Sequence, residues 1–321
     1  RPDRPDPDGS LSPGRQPARR PACWIRVLVY LIDASVFVFR AWFSLPDTMT
    51  DPVGHPVNAI YGYVGFLGNF LRQVQPQHVA VAFDESLTTS FRNDIYPDYK
   101  ANRELPPPEL ERQFAFCRQI TGMLGMTHFA DARYEADDII GTISARMRSC
   151  GRNSVIVTRD KDLAQLLRPG DEFWNYVDNR RFAYDDVETG FGAMPERMAD
   201  YQALVGDSVD NIPGVPGVGP KTAGALMREF SSLESLFENL EPVTRLPVRG
   251  ARGIANRLRE HRDTAFLARR LTRIETDMAL SVEEKTLSRR PPDLEGLFRL
   301  YDELGFGPRL RREAEEIAET F

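Results

Sequence analysis

The chain has 321 residues, 41% of them hydrophobic and 27% charged, with a formal net charge of −6 and three cysteines. That is enough chain for a sizeable core, organised as one large domain or two smaller ones. No apolar run approaches the roughly 18 residues that span a bilayer, and the first 22 residues hold no signal-peptide core, so a cytosolic protein with no membrane partner is expected.

Residues 1–22 mix Pro, Gly, Ser and charge without periodicity and are expected to form a disordered tail. Three Val- and Ile-rich runs, Val27 to Ile32, Val79 to Phe83 and Ser154 to Thr158, read as buried strands. Apolar spacing predicts helices over 57–74, over 109–124 after the Pro106 to Pro108 break, and over 136–148. Alternating strands and helices imply an α/β domain, 23–192, whose mostly parallel sheet is flanked by helices. Near residue 192 the pattern changes to short helices and a Gly- and Pro-rich turn, which predicts a smaller helical domain over 193–321. Cys23, Cys117 and Cys150 are odd in number and far apart, which argues for a reducing compartment. The four histidines are scattered as well, so any metal here would have oxygen ligands.

Each strand run ends in acid: Asp33, Asp84, and Asp160 with Asp162. In open α/β sheets the ligand crevice lies outside the carboxyl ends of the strands, so three distant stretches converge there. Glu135, Asp137 and Asp138 open the helix at 136, where acids in the first turn also favour the helix dipole. Asp207 and Asp210 follow the helical stretch from Pro195, where the dipole disfavours negative charge, so a cation should compensate; as turn residues alone they would be ordinary. Carboxylates about 4 Å apart repel by roughly 4 kcal/mol per pair at an effective dielectric near 20 and must protonate or recruit cations. An all-oxygen set points to Mg²⁺ or Mn²⁺, and without its nine acids the chain is net basic, which leaves room for a polyanionic partner.

Gly214, Gly217, Gly219, Lys221 and Thr222 form a turn leading into a helical pattern over Thr222 to Phe230. Glycines let backbone N–H groups approach a phosphate, and a helix N-terminus with a lysine adds positive potential. A nucleotide-binding P-loop is the rival, but Pro220 separates Gly219 from Lys221 and no strand precedes the turn. Nine arginines between 245 and 273 form either a solvated helix face or a DNA-tracking surface. Arg92, Lys100 and Arg103, with Tyr96 and Tyr99, follow Asp84; such cations could grip a phosphate while the rings stack on a base.

Taken together, FDESLTTSFRNDIYPDYKANR, YEADD, TRDKD and GDSVDNIPGVPGVGPKT resemble the bacterial 5′-3′ exonuclease and flap endonuclease family, which includes the N-terminal exonuclease domain of DNA polymerase I and its stand-alone homologues. The resemblance runs from about Ile25 to beyond Phe306. It implies a PIN-like catalytic domain followed by a helix-three-turn-helix DNA-binding motif around Asn211 to Phe230. It implies one metal on Asp33, Asp84, Glu135 and Asp137 and a second on Asp160, Asp162 and Asp207, with Asp138 and Asp210 acting directly or through water. It further implies Arg92, Lys100 and Arg103 as catalytic cations, Arg40 and Tyr99 with the turn as DNA contacts, and K⁺ at 214–219. Ala34, Phe39 and Arg159 depart from the family pattern, and Arg159 bears on the second metal.

The expected activity is two-metal hydrolysis of DNA at a 5′ flap, nick or free 5′ end, with two Mg²⁺ ions and Mn²⁺ able to substitute. The expected protein is a monomer. Since 321 residues leave no room for a polymerase domain, a DNA polymerase of the same pathway is an expected partner. A junction binder without catalysis and a PIN-type ribonuclease are the alternatives. The acid set speaks against the first, and the duplex-suited turn against the second.

Overall fold

The computed structural model describes residues 27–85 and 89–321; the expected tail and Cys23 lie outside the described residues. Six strands, β1 (Leu28–Asp33), β2 (His78–Asp84), β3 (Thr127–Asp131), β4 (Asn153–Val157), β5 (Glu172–Asn175) and β6 (Arg180–Ala183), form one sheet in the order β3-β2-β1-β4-β5-β6. The first five run parallel, and β6 returns antiparallel at the edge. β1 lies between β2 and β4, so the chain order reverses beside it and a crevice opens at the carboxyl ends of these three strands.

The helices of this part are α1 (Ala34–Ser44), α2 (Asn58–Val74), α3 (Phe91–Ile95), α4 (Pro108–Met123), α5 (Ala136–Ser149) and α6 (Val187–Phe191). Alternation along β1 splits its side chains between two cores: Ile32 packs with α1, α2 and α4, while Val29 and Leu31 pack with α5. On α5, Ile139, Ile140, Ile143 and Met147 are buried at helical spacing, each contributing about 1.5–3 kcal/mol. That burial fixes the orientation of α5 and therefore the position of its acidic first turn.

From α7 (Met198–Val205) through α8 (Pro220–Glu229), α9 (Leu233–Glu238), α10 (Ala251–Glu260) and α11 (Arg262–Thr272), a third core forms around Leu204, Leu226, Leu236, Leu258 and Leu271. The expectation of one helical domain over 193–321 needs revision at its end. α12 (Leu294–Glu303) and α13 (Pro308–Ala318) return to the α/β part, burying Leu297, Tyr301, Leu310 and Ile317 in the core shared with α2. Ile274, Met278 and Leu287 cover the opposite face with α5. β3, β5 and β6 add to the three strands read from the sequence. They have five, four and four residues, and the exposed arginines on β6 suit an edge.

Candidate active site

A cleft of about 610 Å³ opens at the carboxyl ends of β1, β2 and β4 and is lined by Asp33, Asp84, Glu135, Asp137, Asp160, Asp162 and Asp210. Seven of the nine predicted acids therefore meet, whereas Asp138 and Asp207 are not on its wall. Arg40, Arg92, Tyr99, Lys100, Arg103 and Arg159 line it too.

Two kinds of acid share this cleft. Glu135 caps α5, receives Lys100 Nζ at 2.8 Å and the Tyr99 hydroxyl at 3.1 Å, and faces Arg92 Nη1 at 4.0 Å. Burial would raise its pKa, but Lys100 and Arg92 outweigh that and hold it below the usual carboxylate range. Lys100 answers in kind: burial would lower it, yet Glu135 and then Asp210 raise it and keep it charged. Asp210 pairs with Arg103 and lies 3.9 Å from Lys100 Nζ. Of the two acids in the turn after α7, Asp210 thus has the compensating cations expected there, whereas Asp207 forms no ion pair among the described residues.

The other acids have no such partner. Among the described residues Asp33, Asp84, Asp137, Asp160 and Asp162 form no ion pair with Lys, Arg or His. Asp33 ends β1 almost fully buried, accepting a 2.8 Å bond from the Thr158 hydroxyl and one from the Val36 N–H. Burial, then repulsion from Asp84, push it up to about 7. Asp137 is raised well above the usual range by burial, then by Asp160, Asp33, Asp84 and Glu135. Asp162 is pushed up to about 8 by burial and by Asp160, and it accepts a bond from Gln202. The Ala136 N–H holds Asp84 at 2.9 Å, and Asp160 accepts the Asp162 N–H at 2.9 Å.

Asp138 and Arg92 differ from what the sequence suggested. Asp138 is fully buried, and each carboxylate oxygen already accepts two bonds: Oδ2 from Arg92 Nη1 at 2.7 Å and the Glu135 N–H at 3.1 Å, Oδ1 from Arg92 Nη2 at 2.8 Å and the Glu275 N–H at 2.8 Å. Such an acid has no oxygen left to offer a metal. Arg92, 3% exposed, also donates to the carbonyls of Leu271 at 2.8 Å and Arg273 at 3.1 Å. It therefore neutralises the orphan carbonyls that end α11 while gripping the first turn of α5. The pair joins the two parts of the chain, and each nitrogen of the Arg92 guanidinium already donates a hydrogen bond. Tyr99 is revised in the same way: 3% exposed and packed in the helical core, its ring has no face for a base, and its hydroxyl orients Glu135. Asp207 is engaged by its own turn, accepting the N–H groups of Val209 at 2.7 Å and Asp210 at 3.3 Å.

Arg40, Arg103 and Arg159 are more than a third exposed or at the rim of the cleft, beside Phe43, which is 80% exposed. Phe43, Thr158 and Gln202 are not among the site residues expected from the sequence. The position of Thr158 at the end of a strand, two residues before Asp160, was the available signal.

On the helical side the turn between α7 and α8 is built on glycine. A Cβ on Gly214 would stand 2.3 Å from the Val205 carbonyl oxygen, so only glycine lets the turn close against α7. Gly217 has φ +76, the left-handed region that glycine adopts without strain. α8 starts at Pro220, two residues earlier than the pattern suggested, because proline suits the first helical position. Gly219 and Lys221 are exposed, and Thr222 donates its N–H to the Gly219 carbonyl.

Among the described residues no three acidic, histidine or cysteine side chains already stand at metal-holding spacing. The donor chemistry nevertheless fits a hard divalent cation: five oxygen-bearing side chains without a cationic partner among the described residues, four of them driven toward protonation by burial and by neighbouring acids.

Comparison with known proteins agrees with this layout. Residues 28–192 match the 5′-3′ exonuclease N-terminal resolvase-like domain, and residues 193–295 the 5′-3′ exonuclease C-terminal SAM fold. The chain is 40% identical over 294 residues to DNA polymerase I of Pseudomonas aeruginosa, covering 90% of this chain and 32% of that protein. To DNA polymerase I of Bacillus subtilis it is 34% identical over 304 residues, covering 92% and 33%. The chain thus spans about a third of the length of the curated relatives it matches. A structure of T5 5′-exonuclease with zinc ions bound aligns with TM-score 0.61 at 18% identity, covering 91% of this chain and 99% of that one. Flap endonuclease-1 from Methanococcus jannaschii aligns with TM-score 0.61 at 16% identity, covering 91% and 92%. No helix among the described residues is long and apolar enough to cross a membrane.

Proposed function

Because the chain belongs to the 5′-3′ exonuclease family, we propose that it is a structure-specific 5′-3′ exonuclease and flap endonuclease acting on DNA in the bacterial cytosol during primer removal and repair. The observation that carries this reading is the group of five acids without cationic partners at the ends of β1, β2 and β4 and the start of α5. A protein that only bound DNA would gain nothing from unneutralised carboxylates facing phosphates.

Asp33, Asp84 and Asp137 would hold one Mg²⁺ ion, and Asp160 and Asp162 a second; Mn²⁺ meets the same donor requirements. When bound, such ions supply the Lewis acidity that lowers the barrier to attack of water on a phosphodiester. Lys100 keeps Glu135 ionised and oriented at the edge of this group and adds positive potential to the cleft. Arg40, Arg103 and Arg159 would hold the phosphates on either side of the scissile one. The turn from Gly214 to Gly219 with Lys221 and Thr222 would grip the duplex backbone through exposed N–H groups and the N-terminus of α8, and by resemblance it is also the place for K⁺. Arg92 and Asp138 contribute by fixing the angle between that grip and the cleft. A DNA polymerase of the same pathway is the natural partner. The products would carry 5′ phosphates.

The test is cleavage of a 5′-labelled flap on duplex DNA with Mg²⁺, beside EDTA and Asp160→Asn controls. Short 5′ fragments that disappear in both controls are expected. Tight flap binding without cleavage in either Mg²⁺ or Mn²⁺ would overturn the reading in favour of a junction binder.

A further inference from the structure

Five arginines among the described residues carry a buried nitrogen with no hydrogen-bond partner: Arg112, Arg118, Arg148, Arg257 and Arg289. Four of them have another anchor, an ion pair to Asp51, Glu85 or Asp171 or, for Arg289, the Phe321 ring at 4.5 Å. Of the five, Arg257 alone has neither an ion pair nor a side-chain hydrogen bond to any of the described residues. A half-buried arginine whose Nε is desolvated without a partner calls for an explanation.

Its surroundings supply one. A Cβ on Gly217 would stand 2.9 Å from Arg257 Nε, 3.0 Å from Nη2 and 3.1 Å from Cζ, so the guanidinium lies flat against the tip of the turn between α7 and α8. On its own helix, α10, Gly253 lies one turn away, where a Cβ would make ordinary van der Waals contact with Nη1 at 3.4 Å. Of the nine arginines between 245 and 273, Arg245 pairs with Glu241, Arg262 with Asp263, and Arg269 with Glu234 and Asp200, while the other six form no ion pair among the described residues. The charge-rich 245–273 stretch is therefore not uniform. Among the six without an ion pair, Arg257 is the one with a buried, unpartnered nitrogen, and it is seated on the turn where Gly219 and Lys221 are exposed.

We infer that Arg257 is a duplex-phosphate ligand, seated on Gly217, which extends the grip of the turn to a neighbouring backbone phosphate. The inference rests on the reading of that turn as a duplex clamp. An arginine fork suits phosphate, and a seat formed in advance removes the ordering cost that a free surface arginine would carry. The remaining exposed arginines of the stretch add general attraction without a fixed position.

Equilibrium binding of the full chain to a blunt duplex and to a single strand, in EDTA so that nothing is cleaved, tests this across a salt series. Arg257→Met keeps the length and apolar stem and removes the charge; Arg257→Lys keeps the charge and removes the fork. Thermal melting of each variant checks that it folds. The expected result is about tenfold weaker duplex binding for Arg257→Met with a salt slope shallower by about 0.9, the loss of one phosphate contact. An intermediate loss for Arg257→Lys and unchanged single-strand binding complete the expectation. Duplex affinity and slope equal to wild type in a folded Arg257→Met would overturn the inference while leaving the clamp intact. Wild-type protein that binds duplex no better than Lys221→Ala would instead overturn the clamp, and Arg257 with it.

Discussion

Two groups of acids share one cleft and behave in opposite ways. Around Glu135, Asp138 and Asp210 each carboxylate meets Lys100, Arg92 or Arg103, and at Glu135 the paired cations favour the charged form. Around Asp33, Asp84, Asp137, Asp160 and Asp162 no ion-pairing cation stands among the described residues, and for Asp33, Asp137, Asp160 and Asp162 burial and repulsion from neighbouring acids make the charged form unfavourable. The contrast teaches that an acid-rich motif is not by itself a site: the acids available to a bound cation are those the protein has declined to neutralise.

The comparison breaks most visibly on activity. Asp160→Asn should lower flap cleavage by three to four powers of ten, about 4–5 kcal/mol of barrier, without lowering the melting temperature of metal-free protein. A single-turnover assay and a melt in EDTA check both halves, and a variant that cuts normally would show that this group is not the reacting one. On the neutralised side the effect is on stability. Arg92→Met leaves Asp138 buried and uncompensated and should cost about 3–5 kcal/mol in denaturant unfolding. A loss below about 1 kcal/mol would mean that the pair does not join the two parts as described.

A pH series sharpens the contrast. Asp33 and Asp162 rise from an ordinary 3.8 to about 7 and about 8 on folding. A raised carboxylate binds its proton more tightly in the folded state, so its stabilisation is full below about pH 4 and is lost as pH climbs through 7 to 8. Metal-free protein should therefore lose on the order of 2–4 kcal/mol between pH 5 and 8.5. Asp33→Asn should flatten the slope, and Mg²⁺ should restore stability at the alkaline end. A melting temperature that rises over this range in EDTA would contradict the grouping. The smallest effect has the opposite sign. Glu135 is depressed on folding, so its contribution is present above about pH 4.5 and lost as pH falls through its folded value. Glu135→Gln should destabilise by about 1–3 kcal/mol at pH 7, where Asp33→Asn stabilises. Equal signs for the two variants would erase the distinction.

Much of this was readable in the residues. The runs ending at Asp33, Asp84 and Thr158 announce buried parallel strands because both faces are apolar, and α2, α4 and α5 follow from apolar spacing. β3 was hidden because all five of its residues are only half buried, and β5 and β6 because four residues are too few for a period. The return of α12 and α13 to the first core was hidden for a different reason. Their stripes of Leu297, Tyr301, Leu310 and Ile317 specify a buried face but not which surface covers it.

By itself the sequence determined which elements form and that acids end the central strands, since both follow from neighbours within a few residues. Only the tertiary structure decided which acids are neutralised. The cations lie 46, 35 and 107 residues from Asp138, Glu135 and Asp210, and ion pairing depends on distance in space, which no local pattern encodes. The same holds for Arg257, whose seat on Gly217 joins positions 40 residues apart through the packing of α10 on the turn.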